Sequence, residues 1–466
     1  MGEISDLGRA FLRDFVVEGV PASGASRPQK AVGRQVFDLI DERVLRASVP
    51  INNRVALLGD SITAAGIANG VIPSVSSDAN ALRNTTRGMT FWLPFLTRQR
   101  FTSPQSLNFG ISGETSAQIA ARVHQVIHSG AGVCVVLAGT NDLGSVPLAT
   151  TKANLESIYK ALTDAHVLTI ALPILPRVVA GGSQYGFINE VNAWIANQQS
   201  IYPNFRFIDP TYDFGDEFSV SMSPRNGYAY DGLHPTGFGM RNIARPIAAF
   251  LNTLLPEPPY RLRVTDHFSA AHLTDGYLNP NPFIRGTGGT VGTGVTGTAP
   301  DNWSLDTSAG GGGIGSLSVA GSRGVDSAGF DAQRILIGGT ATGGFQTVVT
   351  LTQYGYPLPY AVRAGDRIYN EADVEFAGGA LGISGVAAFV AATVGGVDYF
   401  AWDGYPIVSD GFSQDGLRGT LRTPELTLPG VPTVFHSGYY IYLMNSGSAR
   451  SADVRISSGA VRATRP

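Results

Sequence analysis

Two hydrophobic patterns divide the chain. Between residues 51 and 255, short continuous apolar runs alternate with stretches whose apolar positions recur every three or four residues. The runs lie at 55–58, 107–109, 133–138, 167–172 and 205–208. Helical patterns fall between and after them, at 116–128, 151–165, 189–199 and 237–254. Within 189–199, Val191, Trp194 and Ile195 give one apolar face. Strands without a polar side, flanked by helices, predict a parallel sheet covered on both faces. Ligands then sit at the carboxyl ends of the strands.

Beyond residue 260 the pattern changes. Over half of the 58 glycines lie there, with a Gly/Thr-rich stretch at 286–297 and a four-glycine run at 310–313. Short β-like runs follow at 334–337, 346–351, 372–376, 387–394 and 439–443, with no helical period. This predicts an all-β sandwich or jelly roll. Residues 286–297 read as a flexible linker or, from their Thr and Val content, as strand and turn. At the other end, 14–30 is rich in turn formers, and 32–45 reads as an amphipathic helix with Val36, Leu39, Ile40, Val44 and Leu45 on one side. The expected division is a leader over 1–50, an α/β domain over 51–258 and a β domain over 259–466.

Composition narrows the function classes. Apolar residues make up 43 % and charged residues 15 %, which is globular with a low charge density. A formal net charge of −3 gives no long-range attraction to nucleic acid or anionic lipid, so neither is expected as a partner. No apolar run approaches the roughly 20 residues that span a bilayer. The first residues carry Glu3, Asp6, Arg9, Arg13 and Asp14, unlike a Sec signal peptide. The expected locations are the cytoplasm or, through cell lysis, a virion or the exterior. The single cysteine, Cys134, sits in an apolar run and is expected to be a buried, inert thiol.

The candidate chemistry sits at the strand ends. Gly59-Asp60-Ser61-Ile62-Thr63 directly follows the first apolar run. A serine there opens a helix at the sheet edge, where free N–H groups suit a developing oxyanion. Read blandly, Ser61 is only an N-cap. A serine hydroxyl needs a base, and histidine suits that role near neutral pH. Asp231-Gly232-Leu233-His234-Pro235 supplies both a base and a carboxylate three residues earlier to fix its tautomer, with Gly232 easing the turn. Pro235 suits the first turn of the next helix. Two polar loops follow later strands: 108–115, with Gly110 and Gly113, and Gly139-Thr140-Asn141-Asp142. The Ser61 and Gly113 N–H groups and the Asn141 amide can together face an oxyanion. Read alone, each loop is an ordinary Gly/Asn turn. His124 and His128, four apart, lack a third metal ligand. Asp60, Asp142 and Asp231 can meet at the sheet edge, but the first and second read better as turn and supporting groups. No metal or other cofactor is expected, and activity should survive EDTA.

Taken in order, Gly59-Asp60-Ser61, Gly113, Gly139-Thr140-Asn141-Asp142 and Asp231-Gly232-Leu233-His234 resemble the four sequence blocks of the SGNH (GDSL-type) hydrolases. The resemblance covers about 51–255. It implies a three-layer α/β/α, flavodoxin-like fold with a five-stranded parallel sheet. It implies ester hydrolysis with Ser61 as nucleophile, His234 as base and Asp231 as its orienter. Ser61, Gly113 and Asn141 would line the oxyanion hole, with Gly110 as an alternative to Gly113. The 14–30 leader and the Gly-rich β region look like bacteriophage tail proteins and carbohydrate-binding accessory domains. That resemblance implies an enzyme attached to a virion, acting on a host glycan, and a trimer by analogy.

The leading expectation is therefore O-deacetylation of a carbohydrate or bacterial surface polysaccharide. Trp303, Tyr354, Tyr356, Tyr360, Tyr399, Trp402, Tyr439 and Tyr440 offer surfaces for sugar stacking, although core packing accounts for at least half of them. The alternatives are a general short-chain or lipase-like esterase, and a tail structural or glycan-binding protein without activity. Activity should fall on the acid side of neutrality as the His234 base becomes protonated.

Overall fold

A computed structural model describes residues 52–66, 81–179, 182–218, 223–257, 276–309, 316–340, 347–356, 362–406, 412, 415–444 and 449–465. The expected leader helix at 32–45 and the glycine run at 310–313 lie outside them. Residues 52–466 form one compact unit.

Five of the strands are β1 (Val55–Gly59), β3 (Asn108–Gly110), β4 (Val133–Leu137), β5 (Leu168–Ala171) and β6 (Phe205–Phe207). They are the five expected apolar runs, and they form one parallel sheet in the order β3-β1-β4-β5-β6. β1 and β4 are buried along their whole length, which is why neither alternates. One face carries Ala56, Leu58, Cys134 and Val136 against Ile119, Leu155, Ile158, Leu162, Val191 and Ile195 of the covering helices. Burial pushes the Cys134 thiol far up, so it stays protonated.

The helix Gly237–Leu254 matches its expected bounds and buries Met240, Ile243, Ile247 and Leu251, spaced three and four apart. The pattern at 116–128 forms two helices instead, Ser116–Ala121 and Val123–His128. The break falls at Arg122, whose φ of −119° and ψ of 14° leave the helical region and turn its side chain toward the sheet edge.

The C-terminal region forms two large sheets. The first holds β8 (Thr290–Val291), β10 (Ser304–Ala309), β13 (Thr347–Tyr356), β15 (Ile383–Val394), β16 (Val397–Tyr405) and β19 (Val434–Leu443). The second holds β9 (Val295–Gly297), β11 (Ser318–Val325), β12 (Asp331–Thr340), β14 (Arg367–Phe376), β17 (Leu417–Arg422) and β20 (Ala449–Thr464). β7 (Gly276–Tyr277) pairs with β20, and β18 (Leu426–Thr427) with β14. Ile368, Val461 and Ala463 of one sheet meet Val390, Ala401 and Phe435 of the other in a common core. Stretch 286–297 thus carries strands and turns, the second of its two expected readings.

One strand comes from an unexpected place. β2 (Ala81–Thr85) lies between β1 and β3 in sequence, yet it adds to the edge of the first C-terminal sheet, parallel to β16. The helix that follows, Met89–Leu96, buries Phe91, Trp92, Leu93 and Phe95. It is apolar all round because it is covered from both sides. Gly237–Leu254 packs on it, and so does β17. Trp92 stacks on Phe412 with ring centroids 5.2 Å apart. Polar links accompany this packing. Arg98 pairs with Asp373 at 2.9 Å. The Gln99 amide donates to the Thr420 carbonyl at 3.0 Å.

Asp403 closes the β2 junction. Its Oδ1 accepts from the Asn84 amide at 3.0 Å and its Oδ2 from the Arg422 N–H at 3.1 Å. Burial nonetheless pushes its carboxyl up to about 7, because the two donors offset only part of the desolvation. In the unfolded chain the group titrates near 4, so the folded form holds its proton more tightly. The resulting stabilisation is complete below the unfolded value and is lost as pH rises through about 7. Asp403→Asn removes this loss. Between about pH 5 and about pH 8 the variant should gain roughly 2–3 kcal/mol relative to wild type in denaturant titrations. A pH-independent difference would show that Asp403 is ionised throughout.

Candidate active site

β1 ends at Gly59, and the chain turns into the short helix Ser61–Ala64. Asp60 caps that helix, its Oδ1 accepting from the Ile62 N–H at 3.0 Å. Ser61 is thus its first residue and stands at the carboxyl edge of the sheet. The sequence distance to His234 is closed here, with Ser61 Oγ 2.9 Å from His234 Nε2. On the other side of the ring, His234 Nδ1 is 2.7 Å from Asp231 Oδ2. Asp231 Oδ1 accepts the N–H groups of Leu233 at 3.0 Å and His234 at 2.7 Å. Burial opposes ionisation of this carboxyl, but the hydrogen bonds from His234 and Leu233 outweigh it and hold it below its usual range. Gly232 makes the turn at a φ of 79°. Pro235 differs from its expected place. Thr236 is the N-cap, accepting from the Gly239 N–H at 3.1 Å, so Pro235 lies before the helix and not in its first turn.

The two polar loops flank this group. β1 lies between β3 and β4, so the loops that follow those strands emerge on either side of Ser61. Gly113 has a φ of 81° and sits in an exposed turn after β3. Asn141 follows β4, and its Nδ2 donates to the Glu114 carbonyl at 2.9 Å, which leaves a second amide hydrogen. The Gly110 N–H is already committed to Asn108 Oδ1 at 2.9 Å. The buried Asp142 fastens the loops together. It accepts from the Ser116 N–H at 2.8 Å, from the Ser116 hydroxyl, and from the Thr151 hydroxyl at 2.7 Å. Asp60 and Asp142 are therefore capping and bracing groups here.

Three polar residues at this edge were not singled out in the sequence. Arg122 donates from Nη2 to the Gly59 carbonyl at 2.8 Å, from Nη1 to the Phe109 carbonyl, and from Nε to Glu114 at 2.6 Å. It ties the ends of β1 and β3 to the Gly113 loop. Arg177, beyond β5, donates from Nη1 to the carbonyl and hydroxyl oxygens of Thr140, each at 2.9 Å. Burial pulls its pKa down, while Asp60 and Asp231 oppose the shift. Asp60 itself is pushed up to about 6 by burial, against the Ile62 N–H and the nearby His234 and Arg177. Arg177 follows the strand at 167–172, so the strand-end rule that marked the earlier loops reaches it too. Glu114 lies in the 108–115 loop and falls under the same rule, whereas Arg122 carries no such signal, because it sits in what reads as a plain amphipathic helix.

Elsewhere, His124 and His128 have ring centroids 5.9 Å apart. Among the described residues no three His, Cys, Asp or Glu side chains gather as metal ligands, and no helix is long and apolar enough to cross a membrane.

Residues 57–241 match the GDSL-like Lipase/Acylhydrolase family. No curated protein matches the chain. Among solved structures, the chain is similar to a GDSL-like lipase from Bacteroides thetaiotaomicron, with 20% identity, a TM-score of 0.34, and coverage of 46% of this chain and 96% of that one. It is similar to the psychrotrophic esterase EstA from Pseudoalteromonas sp., with 17% identity, a TM-score of 0.31, and coverage of 43% and 100%. A carbohydrate esterase family 3 protein from Talaromyces cellulolyticus gives 17% identity, a TM-score of 0.30, and coverage of 44% and 98%. The family match spans the strand-end serine and the loop that carries the histidine bonded to it. Residues 57–241 are accordingly a domain of the GDSL-like lipase/acylhydrolase family, and the chain is a carboxylic ester hydrolase.

Proposed function

We propose that Ser61, His234 and Asp231 are a catalytic triad and that the enzyme removes O-acetyl groups from a carbohydrate, in particular a bacterial surface polysaccharide. The observation that carries the triad is the unbroken chain of contacts at 2.9 and 2.7 Å from hydroxyl through imidazole to carboxylate. Ser61 Oγ attacks the ester carbonyl carbon while its proton passes to His234 Nε2. Asp231 stabilises the imidazolium. The oxyanion is met by the N–H groups of Ser61 and Gly113 and by the Asn141 amide. Collapse expels the alcohol, which takes the proton from Nε2. Water then repeats the sequence on the acyl-enzyme and releases the acid.

The committed Gly110 N–H supports Gly113 as the glycine donor. Asn141→Ala should lower kcat by about 10²–10³-fold, with a much smaller change in KM. Equal kcat in the variant would remove Asn141 from the oxyanion site.

The substrate reading rests on the aromatic side chains. Trp303 and Tyr439 are buried and Tyr399 packs against the core, whereas Tyr354 is 59% exposed. Tyr440 lies beside it with the two hydroxyls 3.3 Å apart, and Trp402 lies against Tyr440; both are half-buried and pack against Val348, Ala387 and Tyr442. These three can stack on sugar rings. Acetate release from acetylated polysaccharide tests the reading. No release, with fast turnover of long-chain esters, sinks it. A lipase-like esterase is the second reading, favoured by Ile111 and Val178, which are exposed on loops beside Gly113 and Gly232. A series of nitrophenyl esters of rising acyl length separates the two.

A further inference from the structure

We propose that Tyr230 is a positioning residue for the His234 base, itself held by Arg87, and that the C-terminal sheet fixes this clamp through β2. The proposal rests on the triad reading.

Contacts at Nδ1 and Nε2 still leave an imidazole free to rock about the axis that joins them. Tyr230 restricts that rocking. Its ring lies nearly parallel to the imidazole, with centroids 5.7 Å apart and 16° between planes. Its backbone N–H donates to the His234 carbonyl at 3.1 Å. Tyr230 is 54% exposed. Arg87 packs on the ring, with its guanidinium carbon 4.1 Å from the ring centroid. Arg87 thus packs on the ring that itself packs on the base.

Arg87 comes from the segment that the C-terminal sheet captures. β2 ends at Thr85, and the next N–H, of Thr86, donates to the Tyr405 carbonyl at 3.2 Å. The Trp92 indole returns a bond to the Thr86 carbonyl at 2.6 Å. The same turn touches both catalytic elements. The Thr85 N–H donates to the Gly66 carbonyl just past the nucleophile helix, at 3.3 Å. A Cβ on Gly88 would lie 2.7 Å from the Ala65 carbonyl oxygen. A Cβ on Gly237, which opens the helix after His234, would lie 2.7 Å from the Thr86 hydroxyl. With the backbone this close at Gly88 and the Thr86 side chain this close to Gly237, a shift of the 85–88 turn would shift its neighbours. A displacement of about 1 Å at a catalytic group can cost about 10²-fold in rate.

The test uses the full chain and nitrophenyl acetate. Tyr230→Leu should lower kcat by about tenfold or more, with KM within about twofold of wild type. Tyr230→Phe keeps the ring and should restore most of the loss. Arg87→Met should also lower kcat, and the double variant Arg87→Met/Tyr230→Leu should be no worse than Tyr230→Leu alone, because Arg87 acts through the ring. An unchanged kcat in Tyr230→Leu, a loss confined to KM, or additive losses in the double variant would each overturn the proposal. Ser61→Ala in the same assay reports separately on the triad. An inactive Ser61→Ala beside a fully active Tyr230→Leu condemns only the clamp.

Discussion

Ser61→Ala should lower kcat by about 10⁴–10⁶-fold while ester binding changes little. The expectation follows from how little else the hydroxyl does. Its hydrogen bond runs to His234 Nε2, and the helix it opens is capped by Asp60 instead. Alanine is the best helix former, so the short helix Ser61–Ala64 should keep its place and the melting temperature should stay close to wild type. What disappears is the atom proposed to bond to the acyl carbon. Any residual rate would come from water held near the oxyanion donors. Burst kinetics make the test sharper. Wild type should release nitrophenol in a burst matching the enzyme concentration whenever deacylation is slow, and the variant should show none. A folded Ser61→Ala protein with wild-type turnover would leave a glycan-binding or structural role for the chain and place the hydrolysis elsewhere.

The parallel sheet was legible because its strands are buried on both faces, and burial on both faces writes itself as unbroken apolar runs. All five appeared within a residue or two of their observed bounds. The site was legible for a related reason. A parallel sheet sends every strand end to one edge, so polar residues just past 58, 109, 138 and 172 had to converge. β2 was not legible. Ala81-Leu82-Arg83-Asn84-Thr85 has no strict alternation, and its partner Asp403 lies 319 residues away. Helix Met89–Leu96 failed in the opposite way, since an all-round apolar surface shows no period. β20 was missed because its small residues, Ser, Ala and Gly, fill buried positions that larger apolar side chains usually mark. Arg122 was hidden by the helical pattern around it. The break that turns it inward answers a demand from the Gly59 and Phe109 carbonyls, which lie 63 and 13 residues away.

Asp231→Asn should lower kcat by about 10³–10⁴-fold, although it changes the side chain's shape hardly at all. The reason is a choice of tautomer. Asp231 Oδ1 accepts two backbone N–H groups, from Leu233 and His234. In the asparagine variant those donors hold the amide oxygen in that position, so the NH₂ group must face His234 Nδ1. A donor there requires Nδ1 to carry a lone pair, which moves the ring proton to Nε2. Nε2 then donates to Ser61 Oγ and can no longer take its proton. In the proposed wild-type triad the same geometry would work in reverse: with the ring proton on Nδ1, Asp231 Oδ2 at 2.7 Å would accept it and leave Nε2 free to act as the base. Because hydrogen bonds keep Asp231 below its usual range, its protonation does not set the acid limb of the activity profile. Asp60, pushed up to about 6, titrates nearer that limb. Asp60→Asn retains a capping side chain, so an acid limb that survives in that variant does not belong to Asp60. An Asp231→Asn enzyme within about tenfold of wild type would show that the carboxylate does not select the tautomer, and the third member of the triad would have to be sought elsewhere.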